Sequence, residues 1–333
     1  MDYDHFIAVD WAQRNMAIAR MTGKSNDIVS TIDVPSSVKM LREYLKELRG
    51  KKILTLEETN TAQWLYTELK DSVDDLLICD PYRNRLLSEG PKTDRIDAKK
   101  LVRLLKAGLL KPVFHSGDEF IYLRRLVSGY RDLIQRGVRL KNQRDATFRS
   151  NGVRSGEGQL HPADEFVVSG LDRAIEEYED ERHRYKGEFT KLCRRFPILK
   201  HLKQIPGIGE IGAVKTATTI VDPKRFSDKG AFLSYCGLVR LDRISGGKSY
   251  GSKKPRYSHV LKEVFKTAAL INISSSAEGY FKDYYDYLIT EKGYAVFNAR
   301  HAVARRIAII TYGVLKSGKP FNIPRKVECN DSD

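Results

Sequence analysis

Two short apolar runs, Phe6-Ile7-Ala8-Val9 and Ile53-Leu54-Thr55-Leu56, each end on an acid, Asp10 and Glu57. Apolar runs of this length suit strands buried in a sheet that helices cover. Alternation over Asn15 to Met21, and again near Ile28 to Val34, predicts two further strands, so the chain opens as a three-strand meander. Ser36 and Ser37 offer N-caps to an amphipathic helix carrying Val38, Leu41, Tyr44, Leu45 and Leu48, which Gly50 ends. A helix around Trp64, Leu65 and Leu69, a strand at Leu76-Leu77-Ile78-Cys79 and a helix from about Asp94 to Ala107 complete an α/β unit. Ligand sites in such sheets gather at the carboxyl ends of strands, where Asp10 and Glu57 fall.

From about Asp118 the pattern changes. Leu123, Leu126, Tyr130, Leu133, Gly137 and Leu140 step by three and four, as do Leu171, Ile175, Tyr178, Arg182, Tyr185, Phe189, Leu192 and Phe196. Two long helices result, and the polar, Gly-containing stretch from Ser150 to Pro162 turns the chain between them into an antiparallel coiled-coil hairpin. Its apolar seam can serve intramolecular packing or a second protomer. A third region starts at Ile205-Pro206-Gly207-Ile208-Gly209, before the small-residue helix Ala213 to Ile220. This resembles a helix-hairpin-helix turn, in which Gly207 and Gly209 would let backbone N–H groups approach a phosphate at a helix start. Arg240 to Lys262 then reads as a flexible, basic, hydroxyl-bearing loop with Ser245-Gly246-Gly247-Lys248-Ser249, Lys253, Lys254 and Arg256.

Charge decides what kind of partner such a chain takes. Lys and Arg total 58 against 43 Asp and Glu, a net charge of +15. That balance favours a polyphosphate, because each phosphate neutralised releases condensed counterions. Within 333 residues of 41% hydrophobic content there is room for two cores but no membrane-spanning run. The start of the chain has two acids and no apolar leader, so the expected location is the cytosol, with nucleoid association. Cys79, Cys193, Cys236 and Cys329 are far apart and form no CxxC pair, so they should be ordinary reduced thiols.

In this basic chain Asp10, Glu57, Asp94 and Asp97 are candidates to converge on one divalent metal. Phosphodiester cleavage must stabilise negative charge on the attacking, bridging and leaving oxygens, and carboxylate-bound metal supplies this. Asp94 and Asp97 are three apart, so on a helix they share a face. The structural alternative is capping, with Asp94 as N-cap and Asp97 satisfying the first turn; Asp10 alone would suit a strand-end turn, and Glu57 or Glu58 an exposed acid. Only the four together are informative.

Val9-Asp10, Glu57-Glu58-Thr59 and Lys92-Thr93-Asp94-Arg95-Ile96-Asp97-Ala98 resemble the DEDD motif of the insertion sequence 110 family of transposases. In that family the N-terminal domain is similar to the RuvC Holliday-junction resolvase. Ile205-Pro206-Gly207-Ile208-Gly209, Tyr235-Cys236-Gly237-Leu238, Ser245-Gly246-Gly247-Lys248 and Ala268-Ala269 resemble the family's C-terminal transposase domain, in the expected order. The resemblance implies an α/β RuvC-like (RNase H-like) domain over 1–117, a helical coiled-coil assembly region over 118–196, a mostly α transposase domain over 197–325 and a tail over 326–333. It implies that Asp10, Glu57, Asp94 and Asp97 hold Mg²⁺ or Mn²⁺ and that Ser245 is the nucleophile, with Ser249 and Ser252 as nearby rivals. Glu57 is preferred to Glu58 because the family pattern puts two residues between its acid and a Gly, here replaced by Asn60.

The implied partners are donor and target DNA, an element-encoded noncoding guide (bridge) RNA and further copies of the chain, as a homodimer pairing into a tetramer. Lys248, Lys253, Lys254 and Arg256 would hold the scissile backbone. The loop after Ser249 follows the family pattern only loosely. Two alternatives stay open: a Piv-like DNA invertase, which shares the acids, and a metal-dependent structure-specific nuclease that uses water and does not need Ser245. A third reading is a nucleic-acid-binding protein without catalysis.

Overall fold

The chain is described by a computed structural model over residues 2–81, 93–117, 119–154, 158–253, 255–274 and 279–322, with backbone alone at 241–243, 249 and 253. These residues form two compact units, Met1–Gly117 and Asp118–Asp333.

The first unit is a five-stranded mixed sheet in the order β3-β2-β1-β4-β5, built from β1 (His5–Trp11), β2 (Asn15–Thr22), β3 (Ile28–Pro35), β4 (Lys52–Glu57) and β5 (Asp75–Cys79). The meander β1 to β3 is antiparallel, whereas β1, β4 and β5 run parallel, with Val9 opposite Leu56 and Glu57 opposite Cys79. Because side chains alternate along a strand, each buried run feeds two cores. Ile7, Val9, Leu54 and Leu56 pack under α1 (Val38–Glu47) and α2 (Ala62–Leu69). Phe6, Ala8 and Ile53 pack on the opposite face, under α3 (Asp94–Lys106).

The placement of α3 matters most to function. Its buried stripe, Ala98, Leu101, Val102 and Leu105, has helical spacing and lies over β1 and β2. Lys106 Nζ at its C-terminal end donates to the carbonyls of Thr22 and Ser25, both at 2.7 Å. At its other end Arg95 pairs with Asp33 on β3 at 2.6 Å. The helix is thus anchored at both ends, and its first turn projects toward the carboxyl ends of β1 and β4.

In the second unit α4 (Glu119–Ser150) and α5 (Pro162–Arg195) run antiparallel. Their direction is plain from the ion pairs Arg195–Glu119 at 2.8 Å and Lys141–Glu179 at 2.6 Å, and from the 3.0 Å hydrogen bond of Asn151 to Asp164 at the far end. Gly137 faces the Tyr178 ring so closely that a Cβ there would stand 2.3 Å from it. At the near end Val127, Tyr130, Phe189 and Cys193 merge into a core shared with α6 (Pro197–Lys203), α7 (Glu210–Ile220), α8 (Lys229–Tyr235), α9 (His259–Ser274), α10 (Tyr280–Thr290) and α11 (Val296–Ser317). Phe232 and Tyr312 stack at 4.8 Å near its centre. Cys79, Cys193 and Cys236 are buried free thiols; Cys329 and the 326–333 tail lie outside the described residues. Among the described residues no helix is long and apolar enough to cross a membrane.

One expectation is overturned. The stretch anticipated as a flexible loop is a β-hairpin, β6 (Leu241–Ser245) and β7 (Lys248–Lys253), with Ser245 opposite Lys248. Gly246 and Gly247 form its two-residue turn with φ of 56° and 74°. Left-handed backbone at both positions matches the twist of an antiparallel ribbon, which is why Gly-Gly turns favour hairpins. The glycines therefore shape a tight turn instead of loosening a loop.

The helical hairpin allows a test in which one substitution has opposite signs at two positions. Gly137→Ala should destabilise by about 1–3 kcal/mol through overpacking against Tyr178. Gly170→Ala, where the added methyl meets nothing within 4 Å, should stabilise by up to about 1 kcal/mol from helix propensity. Urea unfolding of both variants checks this, and equal effects would refute the packing described.

Candidate active site

Asp10 shares strand parity with Phe6 and Ala8, and Glu57 with Ile53 and Thr55, so both carboxylates face α3 at adjacent positions of parallel strands. Thr55 is buried and donates to the Leu77 carbonyl at 2.9 Å, holding β4 beside β5 just before Glu57. On α3, Asp94 precedes buried Ala98 by one turn and Asp97 likewise precedes Leu101, so the acids extend the buried stripe past the sheet end.

The N-cap of α3 is Thr93, whose hydroxyl accepts from the Ile96 N–H at 3.3 Å. Asp94 is therefore not the cap, and the capping alternative fails for it: Thr93 already does that work, leaving both aspartates in the first turn with side chains available for other roles. The helix dipole favours negative charge at that position.

Among these acids, Asp10 feels the charge of the other three. The Asp10 carboxyl is raised to about 6, first by burial and then by the charges of Asp94, Glu57 and Asp97. Among the described residues no three His, Cys, Asp or Glu side chains are grouped closely enough to hold a metal ion. The donor chemistry nonetheless fits a hard divalent cation: every donor is a carboxylate oxygen, and two come from strands and two from a helix turn. A cation would also relieve the repulsion that raises Asp10.

Glu58 is engaged elsewhere. Its carboxylate meets His115 Nε2, and the Glu58 N–H donates to the Cys79 carbonyl at 2.9 Å. The other imidazole nitrogen, Nδ1, faces Gln63 Oε1 at 2.7 Å, while the Gln63 amide donates to the Ser116 carbonyl at 2.9 Å. This chain of bonds fixes Glu58 away from the position Glu57 takes. Sequence reasoning missed His115 and Gln63, since a lone His far along the chain gives no local signal.

The remaining candidates lie in the second unit. Ser245 and Lys248 are exposed beside the hairpin turn, and Arg256 is exposed just after it. Lys92, Lys254 and the side chains of Lys253 and Ser249 lie outside the described residues. The two glycines of the 205–209 turn divide in role. Gly207 has φ of +82°, and a Cβ there would meet the Ala268 carbonyl at 2.6 Å, so it serves close packing on α9. Gly209 is the N-cap of α7, and its Cβ position is open. The first residue of α7 is Glu210, held by Lys203 at 2.6 Å and by the Thr190 hydroxyl. An acid therefore already complements the dipole at the start of α7, which weakens the case for a phosphate there. Behind the turn lies a cleft of about 530 Å³ containing the Lys215–Glu263 pair at 2.9 Å.

Comparison with known proteins is consistent across both units. Residues 7–150 match a transposase model, that of the DEDD transposases of IS110, and residues 199–286 match the model described as Transposase IS116/IS110/IS902 family. The chain is also similar to "Putative transposase y4qE" of Sinorhizobium fredii (strain NBRC 101917 / NGR234), at 24% identity over 265 residues. That match covers 74% of this chain and 66%, just under two thirds, of the relative.

Two tests follow from this geometry. Asp10 is pushed up from 3.8 to about 6, so its ionisation destabilises the native state; the cost is absent below pH 4, grows as pH rises and is complete above 6. Asp10→Asn should therefore stabilise the metal-free protein by about 1–2 kcal/mol at pH 8, half the ~3 kcal/mol the full shift represents after allowing for solvent screening. Melting in EDTA should show that gain at pH 8 and none at pH 4; a pH-independent difference would refute the clustering. Separately, Gly207→Ala should unfold or strongly destabilise the second unit, whereas Gly209→Ala should cost less than about 1 kcal/mol. Circular dichroism melts distinguish the two.

Proposed function

The chain belongs to the IS116/IS110/IS902 family of transposases, and on that footing we propose that it cuts and rejoins DNA strands, using a divalent cation held by Asp10, Glu57, Asp94 and Asp97 and the Ser245 hydroxyl as nucleophile. The observation that carries this reading is the raised Asp10 carboxyl, pushed up first by burial and then by the charges of Asp94, Glu57 and Asp97. In a protein of net charge +15, acids that repel one another at a sheet end make sense as a cation site beside a polyanion. The sheet order, three antiparallel strands followed by two parallel ones, supports an RNase H-like domain.

A bound Mg²⁺ or Mn²⁺ would supply charge neutralisation at the scissile phosphate. The chain's own groups do the rest. Ser245 Oγ gives up its proton, bonds to phosphorus, and the bridging oxygen leaves as a strand-end hydroxyl. Attack on that phosphoserine by the hydroxyl of another strand then restores a phosphodiester and frees the serine. One ester replaces another at each step, so no nucleotide hydrolysis is needed. Lys248 stands opposite the serine and Arg256 follows the ribbon's base, and both suit the approach of a phosphate backbone. Pairing with a noncoding guide RNA, and a dimer pairing into a tetramer along α4 and α5, belong to the same proposal. They rest on the resemblance of the motifs to the family and are compatible with the positive charge. The same acids would serve a Piv-like inversion.

Trapping the covalent intermediate tests the reading. With cognate DNA, the required RNA and Mg²⁺, a protein–DNA adduct should form, disappear in EDTA, and be lost in both Ser245→Ala and Asp10→Asn. Strand products without an adduct, unchanged in Ser245→Ala, would overturn it in favour of hydrolysis by water.

A further inference from the structure

Where α9 packs on α11, large apolar side chains stay in solvent among cations. Phe297 is 69% exposed and Leu270 46%. With Lys266, Ala269, Arg300 and His301 they line a shallow groove of about 170 Å³. The Phe297 and His301 rings lie 6.2 Å apart, tilted by 40°. Burial, then the charges of Arg305, Lys262 and Lys266, holds His301 below the ordinary imidazole range, so the groove draws its charge from lysine and arginine. Among the described residues none of Lys262, Lys266, Arg300 and Arg305 pairs with a carboxylate.

Unpaired cations around an exposed phenyl ring call for a ligand that is both flat and anionic. The groove is smaller than the roughly 300–1,000 Å³ of a drug-sized pocket, which suits one ring better than a partner helix. A duplex hides the faces of its bases, whereas a single strand offers them for stacking on an aromatic side chain while its backbone meets nearby cations. The apolar side chains of the lining, Ala269, Leu270 and Phe297, carry no polar atom to read a ribose 2′-hydroxyl, the group by which RNA is told from DNA.

We propose that this groove binds single-stranded DNA, one unpaired base stacking on Phe297 beside Leu270 and the adjoining phosphates meeting Lys266 and Arg300. The proposal rests on the DNA-processing function above, since strands that are cut and exchanged must be opened. It places the binding of the opened strand on residues of α9 and α11, none of them in the hairpin.

Fluorescence anisotropy with the full-length protein in EDTA tests it without requiring catalysis. The probes are a labelled DNA single strand, an RNA strand of the same sequence and the DNA duplex. Phe297→Ala should weaken single-stranded DNA binding about tenfold, leave duplex binding unchanged and be rescued by Phe297→Tyr. Its salt dependence should be that of the wild type. Lys266→Gln and Arg300→Gln should each lower the slope of log affinity against log salt by about 0.7, the value for one phosphate contact on a single strand. An unchanged single-strand affinity in Phe297→Ala overturns the proposal, as does an effect confined to RNA. A changed oligomeric mass with normal DNA binding would assign the patch to a second copy and overturn it too. Failure of the wild-type protein to bind any DNA would instead remove the functional reading beneath it.

Discussion

The candidate site depends on one packing contact, the apolar stripe of α3 against β1 and β2. Ala98, Leu101, Val102 and Leu105 fix the helix's rotation, and Lys106, reaching the carbonyls of Thr22 and Ser25, fixes its position along the sheet. Rotation and translation together leave Asp94 and Asp97 no choice but to overhang the strand ends that carry Asp10 and Glu57. The cost falls on Asp10, through its burial first and then through repulsion from the other acids. A core that buries this much apolar surface tolerates such a cost, and under the proposed function a bound cation would relieve it.

Much of this first unit was legible in the chain. Period-two alternation marks the strands, and the same parity that buries Ile53 on the α3 face assigns Glu57 to that face. Parity alone would have preferred Glu57 to Glu58 without any resemblance. The capping of α3 was harder to read, because Thr93 and Asp94 are both good caps and only the backbone path decides between them. His115 and Gln63 were not legible, since the bonds His115 makes to Glu58 and to Gln63 are purely tertiary, across more than fifty residues.

The second unit shows where composition misleads. Gly207 and Gly209 look equivalent in sequence, yet one fits against a neighbouring helix and the other faces open space. Glu210 changes what the start of α7 offers an anion, a point that the glycine pattern does not carry. The basic Ser245 region, rich in glycine and lysine, reads as a loop until Gly246 and Gly247 are seen as the paired left-handed residues of a hairpin turn.

That turn has a mechanical consequence for the proposed chemistry. A hydroxyl seated at the tip of a hydrogen-bonded ribbon has little reach of its own and goes where the ribbon is carried. Ser245 would then meet phosphorus by the travel of its whole supporting body, and the tempo of strand joining would follow that large displacement instead of the wagging of a few bonds. Stiffness at the tip would also make the angle of attack reproducible on every arrival.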